Sequence, residues 1–500
     1  MTRAAKSMIV QQASAPAYGA STAVVFGVLV LAALTYALQA SMVSPALPQI
    51  GSELHLSPVG RSWIMTSFLL SSSVATPLLG RLGDACGRKR MLVCALAAFA
   101  VGSLIAALAT SLSVMIVGRL VQGTAGAIFP IAFGIIRETF PREQVGSRIG
   151  VLSAMLGGGA GLGVTLAGPI VDHLGYQWLF WLPAGLIGVV TMAAVLAVPD
   201  SGVRADRRVS WFGGLLLASW LVALLLGASE GPRWGWTSPQ VIALFVVTAL
   251  LVAAWVATER RASNPVVDMR MLCHPTVLRT NVMALLFGFA VYSMVVINPQ
   301  FVETPPSAGY GFGASVSEAG SYLLPSTLCI LVASVVAADL AGRFGWKTVL
   351  VAGALIAALG PVVLLVNHDH SLLVYVATAL FGTGVGLGFS SMSQLVVEAV
   401  PAEQTGVASG MNNNIRTIGG SIGTTVTAGI VAGGATSSGV PTEGGYVNAW
   451  TVMAIGFVVA AIVAGLAPRR PARALRIGAP GTSVPPAVAR SVAAGGGARS

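Results

Sequence analysis

Charge is what this chain has least of. Only 9% of its 500 residues are Asp, Glu, Lys or Arg, against about 25% in a soluble domain. That leaves too little charge for an ordinary water-exposed surface. Acids are scarcest, 17 against 28 bases, and no Asp, Glu or His lies near the centre of a long apolar stretch. Lysine is limited to Lys6, Lys89 and Lys347, a bias toward arginine that fits a GC-rich bacterial genome. The four cysteines, Cys86, Cys94, Cys273 and Cys329, are spaced for neither a disulfide framework nor a metal site. His368-Asp369-His370 falls in a short polar turn and reads as solvated loop. There is no H-E-x-x-H, no G-x-S-x-G, no acidic cluster in an apolar stretch and no nucleotide-binding loop. Enzyme chemistry, a resident metal or cofactor, and direct drive by ATP are therefore not expected.

What is present is apolar length. The chain is 55% hydrophobic, with a mean hydropathy of +0.82. Fourteen stretches approach the roughly 20 apolar residues that a spanning helix needs: 22–44, 61–79, 91–109, 113–136, 149–171, 177–198, 211–228, 238–257, 277–300, 316–341, 347–366, 371–398, 408–432 and 447–467. They are continuous, without period-2 alternation, so they predict helices and not a β-barrel. The expected fold class is an all-α, polytopic membrane protein.

The net charge of +11 does not indicate nucleic acid, because its placement is that of a membrane protein. With the N-terminus inside, 24 of the 28 bases fall at inside gaps, helix ends and tails, the bias that sets orientation. Arg61 and Arg233 fall outside, and Arg119 and Arg416 lie within stretches. An even number of spans then puts both termini in the cytoplasm, in a bacterial inner membrane. Arg3 and Lys6 ahead of an apolar run resemble a signal peptide, but the run is too long and reads as a retained first helix.

The chain repeats itself. Pro141-Arg-Glu143-Gln144-Val-Gly146 returns as Pro401-Ala-Glu403-Gln404-Thr-Gly406, and Gly159 and Gly163 return as Gly419 and Gly423. Gly87-Arg-Lys89 returns as Gly345-Trp-Lys347. Two six-helix bundles are expected, at 22–200 and 273–467, with an inserted pair of spans and linkers at 201–272. Residues 1–21 form an N-terminal segment and 468–500 a disordered tail. Parallel repeats of this kind suit rocking about a central site. The outer segment 301–315 is too rich in Pro and Gly for helix.

The gap between spans 2 and 3 reads Gly80-Arg81-Leu82-Gly83-Asp84-Ala85-Cys86-Gly87-Arg88-Lys89-Arg90. Asp84 and Arg88 are candidates for a latch that breaks when the halves rock; a topogenic basic loop is the plainer reading. The string resembles the loop signature of the major facilitator superfamily. Gly118-Arg119-Leu-Val-Gln122-Gly123 resembles that superfamily's span-4 arginine motif, and 406–420 resembles span 13 of its fourteen-span drug:proton antiporters. The resemblance implies two six-helix bundles plus an inserted pair, export of small lipophilic compounds, proton antiport, and a proton-relay role for Arg119. No cofactor and no metal are implied. The partners are a small-molecule substrate, protons and the lipid bilayer, and the chain reads as a monomer.

An arginine at the bilayer centre costs roughly 2.5–3.5 kcal/mol on insertion scales, so Arg119 should face the bundle interior. Gln122, at i+3, shares its face. Arg416 beside Asn412, Asn413 and Asn414, together with Gln39, Trp63, Tyr292, Asn298 and Gln394, are candidates for the cavity wall; packing between helices is the alternative for each. Two departures from the antiporter pattern matter. Gln39 stands where an aspartate is usual, and the span-5 Gly-Pro pair is displaced to Gly168-Pro169. Of the acids at span ends, Glu138, Asp172, Glu318, Asp339 and Glu398, Glu318 is the candidate proton carrier, against a solvated helix-terminal carboxylate. Proton-independent facilitated transport or exchange of a small metabolite and a non-transporting membrane sensor are the alternatives.

Overall fold

The computed structural model describes residues 22–200, 210–262, 264–433 and 441–466. The segments expected at 1–21 and 468–500, with Arg3 and Lys6, lie outside the described residues, as do Arg204, Arg207 and Arg208. Among the described residues there is no strand.

Fourteen long helices follow one another: α1 Thr22–Glu53, α2 Pro58–Cys86, α3 Arg88–Ala107, α4 Leu112–Thr139, α5 Arg142–Leu174, α6 Trp178–Ala197, α7 Trp211–Trp234, α8 Pro239–Arg261, α9 Pro275–Glu303, α10 Val316–Phe344, α11 Trp346–Val366, α12 Ser371–Ala399, α13 Thr405–Gly433 and α14 Glu443–Gly465. A 3₁₀ turn, Thr124–Ala127, interrupts α4. Thirteen are long and apolar enough to cross a membrane. The fourteenth, α13, carries Asn412, Asn413, Asn414, Arg416 and several Gly and Thr residues. It tolerates them because α2, α4, α7, α9, α12 and α14 all pack against it.

Local sequence sets the helix ends. Ser57, Ser210 and Ser238 accept the backbone N–H three residues on at α2, α7 and α8, and proline opens α2, α8 and α9. Several helices outrun the apolar stretch that announces them, α1 by running through Pro45 and Pro48 to Glu53. Hydropathy marks only the length that meets lipid, whereas backbone hydrogen bonding continues into the polar zone. The expectation of no helix at 301–315 is corrected at two places. α9 continues to Glu303, and Pro306–Ala308 forms a 3₁₀ turn, since proline is tolerated in a first turn.

The packing repeats with a shift of eight helices. α1 packs on α5 and α6, as α9 does on α13 and α14; α3 packs on α4 and α6, as α11 does on α12 and α14; α2 packs on α4, as α10 does on α12. Gly87 (φ 110°) and Gly345 (φ 80°) occupy matching turns, where a side chain would be strained. The paired glycine stripes match too. Gly159 and Gly163 face α1, and Gly419 and Gly423 press on the backbone of α9, where an added Cβ would stand 2.0 and 2.2 Å from the carbonyl oxygens of Leu285 and Phe289. Each group has its own core, around Leu29, Phe99 and Phe129 in the first and Phe287, Trp450 and Phe457 in the second. The groups meet where α5 lies on α10 and α12, and α13 lies on α2 and α4. The helix α7 packs on α2 and α13, and α8 packs on α7.

Candidate functional site

The end of the molecule bearing Arg81, Arg88 and Arg137, here the basic end, is tied shut between the groups. Arg88, only 3% exposed, is held at the start of α3 by the Gly87 turn. Its Nε and Nη2 donate to Asp84 Oδ1 at 3.0 and 2.7 Å. Its Nη1 donates to the Gly134 carbonyl at 2.9 Å and to Glu138. The remaining Nη2 hydrogen crosses to the other group, donating to the Ala402 carbonyl. Arg137 crosses as well, with Nη1 donating to the carbonyls of Val397 (2.8 Å) and Val400 (2.9 Å) and to Thr405 Oγ1 (2.8 Å). Gly80 and Gly406 let α2 and α13 touch backbone to backbone; a Cβ on Gly406 would stand 2.8 Å from the Gly80 carbonyl oxygen.

Further in, Asn414 donates to the Ser73 carbonyl at 2.6 Å, Ser390 to the Gly150 carbonyl at 3.3 Å, and the Ser153 and Ser393 hydroxyls meet at 3.0 Å. The serine crossings lie toward the basic end and Asn414–Ser73 near the middle of α2, while past the middle α5 and α10 stay packed, Gly161 facing Thr327. Between the crossings, a cavity of about 20 Å³, room for one water, is lined by Phe129, Phe133, Ser153, Phe389, Ser409, Asn413 and Arg416, among others.

The centre holds two buried arginines. Arg119 is fully buried. Its Nε donates to the Ile64 carbonyl (3.1 Å) and its Nη1 to Gln122 Oε1 (2.9 Å), and the guanidinium lies 4.2 Å from the Phe68 ring centroid. Gln122 in turn donates to Ser103 (2.8 Å), so its amide is oriented to accept from the arginine. Arg416 donates to Asn413 and lies 4.4 Å from the Phe389 ring centroid. Among the described residues neither arginine forms an ion pair with a carboxylate. The three successive asparagines point three ways, as a 100° helical step requires: Asn412 bonds to Asn281 on α9 (2.9 Å), Asn413 to Arg416, and Asn414 to α2.

On α1, Tyr36 meets Ser72 at 2.8 Å, with the charges of both Arg119 and Arg416 in electrostatic reach. One turn further, Gln39 is fully buried, and neither its Oε1 nor its Nε2 has a hydrogen-bond partner among the described residues. An unmet buried amide is costly, about 1–3 kcal/mol for each group. Gln39→Leu is therefore expected to raise the thermal unfolding midpoint while reducing transport of substrates that hydrogen-bond. A midpoint that falls would show that the amide has a partner.

The other sequence candidates are dispersed. Tyr292 is 40% exposed, its ring over Gly420. Asn298 accepts from Trp450 at 3.2 Å, within the second group. Gln394 donates to Glu398 (2.8 Å) near the basic end, and Trp63 is half-buried near the start of α2. Glu318 is exposed at the first turn of α10 and closes a capping box with Ser315, whose N–H it accepts at 2.8 Å. That is the solvated helix-terminal setting. Sequence reasoning missed Tyr36, Arg137 and two further acids, Glu230 and Glu259, each 3% exposed. Tyr36 had a signal, its i+3 spacing from Gln39. Glu259 was masked by Arg260 and Arg261, which make it look like a solvated helix end.

Twelve helices in two matched groups with a further pair between them, joined around a buried polar centre, define a membrane transporter. A model of the Major Facilitator Superfamily matches residues 29–424, and the chain belongs to that family. It is 31% identical over 398 residues, covering 79% of this chain and 73% of the relative, to "Multidrug resistance protein Stp" of Mycobacterium tuberculosis. It is 29% identical over 417 residues, 81% of this chain and 74% of the relative, to the "Tetracenomycin C resistance and export protein" of Streptomyces glaucescens. Among solved structures, the fold is shared with the human organic anion transporter MFSD10 (TM-score 0.63, 15% identity, 88% of this chain and 99% of that one). It is also shared with the proton:xylose symporter XylE (TM-score 0.61, 14% identity, 88% and 94%).

Proposed function

We propose that the chain exports small lipophilic compounds across the cytoplasmic membrane by alternating access, coupled to proton entry. The units 22–200 and 273–467 rock against each other, with the pair within 201–272 riding on their seam. The protein acts as a monomer, both termini in the cytoplasm, so that the tied basic end is the cytoplasmic gate. The observation that carries this reading is the set of inter-group bonds at one end only a few helical turns from a buried cationic centre. Relatives named for multidrug resistance and antibiotic export support the substrate class. Arg119 and Arg416, with Tyr36, Gln39 and the Phe68 and Phe389 rings, suit neutral or anionic aromatic compounds better than cations.

Arg119 is the proposed proton-relay residue, and Asp84 with Arg88 the gating pair. The second reading, exchange without protons, is favoured by Gln39, which cannot ionise. Collapsing the pH gradient across vesicles containing the purified protein separates the two. Export is expected to fall at least tenfold; export that persists under counter-substrate would establish the exchanger.

A further inference from the structure

The inserted pair has a buried charge that the transport reading leaves unused. α8 turns one seam toward the protein, Val241, Thr248, Trp255 and Glu259, and Glu259 ends it at the basic end. Its carboxylate fits against α7 where Gly213 has no side chain; a Cβ there would stand 2.3 Å from Oε1. Oε2 accepts the Val267 N–H at 3.4 Å. Val266 and Val267, almost fully buried, belong to a core cluster with Trp220, Val396, Val400 and Val407. Val400 is also one of the residues Arg137 grips. The carboxylate shares its buried seam with Trp255, one turn back on α8. Arg81, 6% exposed on α2, is in electrostatic reach of both Glu259 and Asp84.

We propose that Glu259 is a positioning residue for transport: through the Val267 amide it holds the inserted pair against the following segment, whose Val266 and Val267 pack with Val400 at the clamp, and so favours closure of the basic end. A surface carboxylate would contribute little here, but a buried one that accepts a backbone N–H makes a charge-assisted bond, which a neutral amide in its place weakens. The inference rests on the alternating-access reading.

The test uses the full-length protein in native membranes, with the four native cysteines replaced by serine and Ser409→Cys as reporter. Ser409 is buried and lines the small cavity between the groups, so a membrane-permeant maleimide reaches position 409 faster when the basic end opens. Glu259→Gln, of the same shape without the charge, is expected to speed labelling about tenfold. Glu259→Asp, which keeps the charge, is expected to recover at least half of that change. Rates are measured on protein that extracts as a monodisperse species, which removes misfolded chains. Arg88→Gln is the reference. If it speeds labelling and Glu259→Gln does not, the positioning role is wrong while the gate stands. If Asp and Gln label equally fast, the charge has no part and the proposal is overturned. If neither Arg88→Gln nor Glu259→Gln changes the rate, the gate reading itself fails.

Discussion

Arg119→Ala is expected to reduce export at least a hundredfold while leaving the protein in the membrane in near-normal amount. The two halves of that expectation have different physical origins. Stability should change little because opposing terms are similar in size. The variant loses two charge-assisted hydrogen bonds, to the Ile64 carbonyl and Gln122 Oε1, about 1.5–3 kcal/mol each, and the contact with the Phe68 ring, about 2 kcal/mol when desolvated. It also relieves the burial of a cation that no described carboxylate neutralises, a penalty of several kcal/mol. Transport has no such offset, because the guanidinium is one of two fixed positive charges at the centre and the proposed proton relay.

Arg119→Lys should also transport poorly. An ammonium is a compact point charge and does not reproduce a fork that engages a carbonyl, an amide and a ring at once. Initial rates in vesicles, normalised to the amount of folded protein, provide the check; a full rate for the alanine variant would remove the relay role.

Arg88→Gln is expected to open the basic end and to slow export at least tenfold. In the closed form the arginine joins Asp84, Gly134 and Glu138 of its own group to Ala402 of the other. The bonds within its group can persist when the groups part; the bond to Ala402 cannot. A charge-assisted bond of about 1.5–3 kcal/mol made in one state only shifts the balance between states by roughly ten- to a hundredfold. The variant also leaves Asp84 and Glu138 facing each other without their shared cation, which adds repulsion. Labelling at position 409 from the basic end should accelerate as export falls. Unchanged labelling and unchanged export together would reduce Arg88 to an orientation signal.

Much of the fold was legible in the residues because a bilayer simplifies the code. With no water to satisfy backbone groups, an apolar run of spanning length has to be helical, and the arginine bias of alternate gaps carries the expected orientation. The shift of eight helices was already visible in Pro141–Gly146 against Pro401–Gly406. α13 shows where hydropathy falters: it is more polar by composition than the other spans, and six other helices pack against it. Local chemistry also pointed to Arg119, since a charge in an apolar run must find partners, and to Gln122 at i+3 on its face. It did not announce Arg137, which has the sequence context of a solvated helix end and reaches Val397, Val400 and Thr405 only because α4 and α12 end at the same level.

The sequence by itself determined the medium, the number of crossings, the repeat and the family, because each is encoded in composition, period or a contiguous motif. Tertiary structure alone decided which end is closed, where Gln39, Tyr36 and Glu259 lie, and that Asn412, Asn413 and Asn414 serve three different neighbours. Most of those facts depend on contacts between different helices, up to 341 positions apart for Asn414 and Ser73. Side-chain directions on separate helices are fixed only by how the helices pack, which no local pattern along the chain records.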